Sequence, residues 1–353
     1  MKVLSYYLPQ FHVVPENEEW WGPGFTEWKC LEGWRPYFGG HAIRRPVAPL
    51  GFYDLTNEDV FEAQQKIATS HGIDGFLVWD YWFGSGVRLL ESPMELVLRQ
   101  KIEFKYAFMW ANHSWVNKRS GTMLMRQEYP GRSDIFEYFD KNIPHFSGEN
   151  YLRVDGKPIL GVFDPSAIPY LPEWVETMRQ CARDAGLPGL FLIAEHSTVA
   201  SQHASLFDKL IDSGAPYEGR KRASPLMYLR EQAIKRFNMN FLGPLIYEYQ
   251  CLLPKDSGAR KLNSKEAAVV IAGWDTTPRH GNRGTVYKEY CRNGFRSAVR
   301  SAFSAVSDHG DDAWVVIKSW NEWAEGNVLE PDSVFGTDLL EVFREERSAF
   351  GRN

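Results

Sequence analysis

The sequence predicts an α/β protein folded as a (β/α)8 barrel with enlarged loops at the carboxyl ends of its strands. About eight short apolar runs alternate with helical patterns along the 353 residues, which is typical of parallel strands joined by helices. The runs are apolar throughout, as in a sheet covered on both faces. No repeat, low-complexity tract or linker divides the chain, so we expect residues 1–353 to form a single domain.

Strands are expected where β-branched and aromatic residues cluster. The expected strands are 3–8, 75–79, 105–110, 158–163, 190–194, a short sixth strand near Lys209 to Ile211 or around Ala215, 269–273 and 314–319. About thirty residues rich in Gly, Pro and Trp follow the first strand without a helical or strand period. Loops of that length are usually functional.

Helices are expected between the strands. Asn57 can cap a helix that carries apolar residues at three- and four-residue spacing and closes at Gly72. Pro172 opens another helix that stops at Gly186, the usual asymmetry of helix ends. The remaining expected helices begin near residue 92 or cover about 133–142, 287–304 and 338–350.

Bulk properties exclude several classes of protein. A net charge of −5 gives no reason to expect nucleic-acid binding. The four cysteines lack metal-ligand spacing and no nucleotide-binding glycine motif occurs, so we expect no metal and no cofactor. The chain starts with a strand instead of a signal peptide and has no apolar run of membrane-spanning length. We therefore expect a cytoplasmic protein, unless an export signal has been removed.

The stretch from Trp320 to Pro331 carries the strongest signal. It reads WNEWAEGNVLEP and places three carboxylates and two tryptophans directly after the last expected strand. Residues at the carboxyl ends of parallel strands usually carry the chemistry of such folds.

Within this stretch, Glu322 and Glu325 are three residues apart. On a helical turn or tight loop such side chains converge, whereas in a continued strand they would face opposite sides. Converging carboxyl groups suit glycosidic-bond cleavage, because one must hold a proton while the other acts as base or nucleophile. Aromatic walls help by raising one pKa through desolvation. The alternative is a pair of solvated loop acids, with Trp320 and Trp323 filling the barrel rim.

Aromatic and polar residues gather at the expected strand ends, where ten of the thirteen tryptophans lie. In a barrel these loops open on one face. Flat rings combined with amides, carboxylates and an arginine suit the C–H faces and hydroxyls of sugars. The expected substrate contacts are Gln10, His12, Glu27, Trp28, Asp80, Tyr81, Trp82, Trp110, Asn112, His113, Trp115, Gln127, Glu128, Trp274, Asp275, Arg279, Trp320, Asn321 and Glu330.

Each candidate also has a purely structural interpretation. His12 and His113 can be hydrogen-bonded structural histidines, and Trp110 can belong to the barrel core. Asp275 can brace the turn that follows it, and Arg279 can pair with a surface acid. The functional interpretation rests on the face that these residues share.

Eight short motifs occur together in this sequence, and they are distributed over nearly the whole chain. They are YLPQFH (7–12), WWG (20–22), GFTEW (24–28), YWF (81–83), WAN (110–112), QEY (127–129), GWD (273–275) and WNEWAEG continuing to LEPD (320–332). These motifs resemble the WbsX-like family, which is often labelled glycosyltransferase and is related to glycoside hydrolase family 99. The resemblance implies a (β/α)8 barrel, in agreement with the strand pattern.

Family 99 contains retaining, endo-acting α-mannosidases and α-mannanases whose two acids stand in an E-W-x-E motif after the last strand. Glu322-Trp323-Ala324-Glu325 matches that motif. The resemblance implies that Glu322 deprotonates the sugar 2-hydroxyl, which attacks C1 and gives a 1,2-anhydro sugar. Glu325 would be the general acid and then the general base for water. Double displacement through a covalent glycosyl-enzyme stays open.

The chain departs from the family at two positions of the expected sugar pocket. WbsX-like proteins commonly carry an acid where His113 stands and His or Tyr where Asp80 stands. These two changes affect the expectation that the substrate is mannose more than they affect the expected reaction.

We therefore expect an enzyme, a glycoside hydrolase that cleaves an α-linked glycan with retention through Glu322 and Glu325. Its expected partner is an oligo- or polysaccharide. One alternative is a glycosyltransferase or transglycosylase of surface-polysaccharide (O-antigen or capsule) biosynthesis. A second alternative is a non-catalytic carbohydrate-binding barrel.

Overall fold

Eight parallel strands close into a barrel in the computed structural model, which describes residues 1–117, 120–195, 199–211, 215–237, 242–253 and 261–351. The strands are β1 (Lys2–Tyr7), β2 (Gly75–Gly84), β3 (Tyr106–Trp110), β4 (Lys157–Val162), β5 (Phe191–Glu195), β6 (Lys209–Ile211), β7 (Glu266–Ile271) and β8 (Trp314–Lys318). Strand β1 pairs with both β2 and β8, and this pairing closes the sheet. The expected (β/α)8 barrel is confirmed.

Helices lie between the strands. They are α1 (Pro15–Trp21), α2 (Glu58–Ser70), α3 (Ser92–Gln100), α4 (Arg132–Ser147), α5 (Leu171–Asp184), α6 (Ala215–Ala223), α7 (Pro225–Phe237), α8 (Thr277–His280), α9 (Arg292–Ala305) and α10 (Asp338–Phe350). The expected cap of α2 is present, because the Asn57 side chain accepts from the amide of Asp59 at 3.1 Å. Within the described ranges, no helix is long and apolar enough to cross a membrane.

Three segments differ from expectation or decide between alternatives. The expected helix 287–304 begins only at Arg292, because Thr285–Lys288 is a strand paired in parallel with Leu245–Glu248. The first long loop contains helix α1, which was not expected because it starts with proline but has no side-chain cap, so only one of the usual start signals is present. The sixth strand lies at Lys209–Ile211, and the alternative around Ala215 is wrong because that residue begins helix α6.

Burial of the strands matches a parallel sheet that is covered on its outer face. All ten residues of β2 are buried, as are four of the five residues of β8. This explains why the strands are apolar throughout in the sequence, since neither side of such a sheet meets water.

Arg44 ties the N-terminal loop to the carboxyl ends of β7 and β8. Its guanidinium donates to the carbonyl oxygens of Ala272, Gly326 and Val328 at 2.7, 2.5 and 2.8 Å, and its side chain is 9% exposed. One side chain therefore supplies donors to three carbonyl groups in two different loops, and it also pairs with Asp332 at 3.3 Å.

Replacing Arg44 by Met should lower the free energy of unfolding by about 3 kcal/mol, because three carbonyls and a buried carboxylate lose their donor. Urea denaturation measures the change. Arg45→Met is the matched control, since that neighbouring arginine is exposed and its loss should change stability by no more than about 0.5 kcal/mol. Equal losses in the two variants would contradict the role given to Arg44.

Candidate active site

The segment after β8 forms a short hairpin that carries both acids. Asn321–Glu322 pairs antiparallel with Asn327–Val328, and Trp323–Glu325 makes one 3-10 turn between them. Gly326 closes the turn with a φ of 57°. A Cβ atom added there would lie 2.8 Å from the Cβ of Asp275, so the position accepts only glycine without displacing its neighbours.

The hairpin is anchored on β1. The amide of Trp320 donates to the carbonyl of Tyr6 at 2.8 Å. The Asn321 side chain bonds both backbone groups of Leu8, accepting from its amide at 2.7 Å and donating to its carbonyl at 3.1 Å. Trp320 and Asn321 are fully buried. The start of the acid-bearing turn is therefore fixed to the first strand of the barrel.

One guanidinium lies among three carboxylates. Arg279 donates to Oε1 of Glu325 at 2.7 Å and to Oε2 of Glu27 at 2.8 Å, while Oε2 of Glu322 lies 3.6 Å from its Nη2. The side chains of Glu322, Glu325 and Arg279 are 13%, 22% and 28% exposed. The two acids therefore converge on one cation, and the cluster is partly buried but open to solvent.

The turn that carries Arg279 is held by Asp275. One oxygen of Asp275 accepts from the amide and the hydroxyl of Thr277 at 3.0 and 2.6 Å. The other oxygen lies 2.8 Å from Nε2 of His41. Both oxygens of Asp275 are thus engaged within the protein, as its structural interpretation predicts.

Glu322 sits against a stacked pair of rings. The indole of Trp79 donates to its Oε1 at 3.1 Å, and Trp79 stacks on Tyr6 with centroids 4.7 Å apart. The other oxygen is buried and has no hydrogen-bond partner among the described residues. Burial, and next the charge of Glu325, raise the pKa of Glu322 to about 7 against the opposing effect of Arg279. Such a carboxyl group exchanges its proton near neutral pH, as acid–base catalysis requires.

Aromatic rings border this cluster on the β2 side. Trp115 lies edge-on to Tyr81 at 5.0 Å and to Trp20 at 5.7 Å. Burial, and then the charge of Glu322, raise the pKa of Tyr81 well above its ordinary value. The hydroxyl of Tyr81 therefore stays protonated beside the acids, where it can donate a hydrogen bond.

Glu330, the third acid of the stretch, lies beneath the hairpin and not beside Arg279. Its carboxylate accepts from Tyr53, Gln64 and Trp323 at 3.0, 2.7 and 2.7 Å. Burial raises its pKa to about 7, although the three donors act in the opposite direction. These contacts cross-link the hairpin to the N-terminal part of the barrel.

Eight of the expected substrate contacts are buried inside the protein. Asp80 shows the pattern, since it accepts from Arg88 at 2.8 Å and from Tyr138 at 2.9 Å. The eight, each at most 3% exposed, are His12, Asp80, Trp82, Trp110, Asn112, Trp320, Asn321 and Glu330. They shape the loops around the acids.

The remaining candidates fall into two groups. Glu27, Tyr81 and Arg279 lie with the acid pair, and Trp115 borders them. The others are Gln10, Trp28, His113, Gln127, Glu128, Trp274 and Asp275; among them, the carbonyl of Gln10 accepts from the amide of Glu27 at 3.3 Å, and the amide of Asp275 donates to the carbonyl of Glu325 at 2.8 Å. Of these, His113 and Glu128 are exposed, and Trp28 packs on Trp323 at 5.9 Å.

Two neighbours of Glu322 were missed by the sequence-based set of contacts. Trp79 donates to its carboxylate, and the charge of Lys318 lowers its pKa. Both residues carried a signal, since Trp79 is one of the tryptophans near a strand end and Lys318 is a lone charge in the apolar run of β8. In the described part of the chain, no three His, Cys, Asp or Glu side chains are grouped so as to hold a metal ion.

Known proteins resemble this chain in sequence. Residues 3–343 match the protein family described as Glycosyltransferase WbsX. Two relatives, both called uncharacterized protein WxcX, come from Xanthomonas campestris pv. campestris strains B100 and ATCC 33913. Each is 30% identical over 350 residues, which are 97% of this chain and 49% of the relative. The chain thus spans about half the length of the curated relatives it matches.

Solved structures resemble it in fold. A glycoside hydrolase-like protein aligns with a TM-score of 0.59 at 17% identity, covering 98% of this chain and 93% of its own. The GH99 endo-alpha-mannosidase from Bacteroides thetaiotaomicron, in complex with bis-tris-propane, aligns with a TM-score of 0.58 at 14% identity, covering 99% and 97%. At these identities the likeness shows the barrel alone, whereas the family match extends over almost the entire sequence. This chain belongs to the family described as Glycosyltransferase WbsX, as its motifs predict.

Proposed function

We propose that this chain is a glycoside hydrolase that cleaves an α-linked glycan with retention, using Glu322 and Glu325. The observation that carries the proposal is the convergence of these two acids, from one short hairpin, on the guanidinium of Arg279. The raised pKa of Glu322 supports it, since a group that titrates near the working pH is an effective acid–base catalyst. The likeness to a GH99 endo-alpha-mannosidase agrees with it at the level of the fold.

The roles of the two acids follow the family resemblance. Glu322 takes the proton of the sugar 2-hydroxyl, whose oxygen then bonds to C1 as the bond from C1 to the leaving oxygen breaks. Glu325 gives its proton to that leaving oxygen. Water, deprotonated by Glu325, next opens the 1,2-anhydro sugar at C1, and Glu322 returns the proton to the 2-oxygen. Two inversions at C1 give net retention.

A second candidate function is glycosyl transfer, and the description of the family favours it. The same intermediate can be opened by a sugar hydroxyl in place of water, which yields a new glycosidic bond without any change in the acid pair. A transglycosylase would therefore need the same two carboxylates, and only the acceptor would differ.

Glu325→Gln should lower turnover by about 10²–10⁴-fold, because the leaving oxygen loses its proton donor. The measurement is the release of reducing ends from a panel of α-linked glycans with no sugar nucleotide present. Glu62→Gln, an exposed change on α2, is the control and should leave turnover unaffected. Undiminished turnover in Glu325→Gln would refute the assignment, and activity that appears only with a sugar nucleotide would favour the transferase.

Retention predicts the anomer of the first product. Proton NMR during the first minutes of cleavage should show the α-anomer of the released reducing sugar before mutarotation mixes the two forms. A β-anomer at the earliest times would mean inversion, and the proposed pathway through two displacements at C1 would be wrong.

Glu322→Gln should remove activity and yet stabilise the fold at neutral and higher pH. The folded pKa of about 7 exceeds the ordinary 4.5, so the folded state holds this proton more tightly than the unfolded chain. Wild-type stability should therefore fall relative to the variant as the pH rises from about 4.5 to about 7, by about 1–3 kcal/mol.

Urea denaturation at about pH 5 and about pH 8 measures this difference. Glu330 contributes a similar slope to both proteins, so the comparison isolates Glu322. A difference in stability that stays constant over this range would contradict the high proton affinity of Glu322.

A further inference from the structure

Glu27 and Arg279 form a contact that the proposed chemistry does not itself require. Glu27 begins the 3-10 turn Glu27–Cys30, and its amide donates to the carbonyl of Gln10 at 3.3 Å. Its side chain is 6% exposed and meets the guanidinium of Arg279 at 2.8 Å. A buried carboxylate from the N-terminal loop therefore fixes one side of the cation that the acid pair shares.

The charges of this cluster do not balance when every acid is ionised. The charges that act most strongly on Glu322 are those of the cations Arg279 and Lys318 and of the carboxylates Glu325 and Glu27, and the hydroxyl of Tyr81 responds to the same acids. Three carboxylates against two cations leave one excess negative charge in this partly buried site. One bound proton removes that excess, and the favoured acceptor is the carboxylate with the weakest pairing.

Distances identify that carboxylate. Arg279 hydrogen-bonds Glu27 and Glu325 at 2.8 and 2.7 Å, so both carboxylates are paired directly with the cation. Glu322 lies 3.6 Å from the same group, too far for a hydrogen bond. The buried oxygen of Glu322 that lacks a partner can carry the proton without losing any hydrogen bond.

We propose that Glu27 is a positioning residue for the acid pair: by anchoring Arg279 against Glu325 and just beyond hydrogen-bond distance of Glu322, it keeps the shared proton on Glu322 in the unliganded enzyme. The catalytic role of Glu27 rests on the proposed function, whereas the location of the proton in the unliganded protein does not. For Glu325 to act as the general acid, the proton passes from Glu322 to Glu325 once a sugar enters. Glu27 thus controls how readily the pair reaches its working protonation state.

Substitutions of Glu27 and of Arg279, the two partners of the ion pair, should shift the titration midpoint of Glu322 in opposite directions. Glu27→Gln removes one negative charge and lets Arg279 turn towards Glu322, so the titration midpoint of Glu322 should fall by about one pH unit. Arg279→Met removes the cation, so the midpoint should rise by about one pH unit or more. Glu27→Asp keeps the charge but shortens the reach, and should give a smaller fall than Glu27→Gln.

Titration of the glutamate carboxyl ¹³C signals by NMR, without substrate, measures these midpoints. The signals are assigned by their loss in Glu322→Gln and Glu325→Gln. Glu19→Gln removes the same charge from the exposed face of α1 and should leave the midpoint in place. Circular dichroism verifies that each variant is folded, and Glu27→Asp serves as the conservative test should Glu27→Gln fail to fold.

Two results would overturn the proposal: an ordinary midpoint for Glu322 in the wild type, or the same midpoint in wild type and Glu27→Gln. With a glycan that is cleaved, the alkaline limb of the kcat/KM profile should move with the midpoint while KM stays nearly constant, because the pair must hold its shared proton in order to react. If no glycan is cleaved but the midpoints shift as expected, the proton placement holds and the proposed function fails.

Discussion

The pairing of β1 with β8 is the constraint on which the acid pair depends. It closes the barrel, and its continuation past the strand ends, from Trp320 to Tyr6 and from Asn321 to Leu8, fixes the start of the hairpin. Tyr6 also supports Trp79, whose indole holds one oxygen of Glu322. The first and last strands therefore position the same carboxylate from two sides. Barrels place their chemistry at this edge because every strand can contribute in this way.

Glu322 and Glu330 show how two buried acids of one loop can differ. Burial raises the pKa of both to about 7. Glu330 receives three hydrogen bonds from neutral donors, so its place is fully determined and it braces the fold. Glu322 has one such donor, an oxygen without a partner and a cation held just out of hydrogen-bond range. Incomplete satisfaction is unfavourable for stability, and it leaves Glu322 able to exchange a proton.

The sequence allowed the barrel and the acid pair to be predicted, because both signals are local. Apolar strands alternate with capped helices, and the two acids stand three residues apart after a strand. The role of Arg279 was not predictable in detail, since Glu27 lies 252 positions away and only the closed barrel brings them together. The strand Thr285–Lys288 was missed for the same reason, as its partner Leu245–Glu248 is distant in the chain. The burial of individual polar residues was also not predictable from the sequence. Asp80 and Asn112 lie at strand ends, but both are buried, and they hydrogen-bond to neighbouring side chains of the protein.

The hairpin has a consequence for redesign. Its register pairs Glu322 with Asn327, and a side chain added at Gly326 would meet Asp275, so residues can be neither inserted between the acids nor enlarged at the turn without displacing the neighbouring loop. An engineer who wished to move the two carboxyl groups apart would have to shorten a side chain, as in Glu325→Asp, because the paired backbone of the hairpin fixes the positions of both residues.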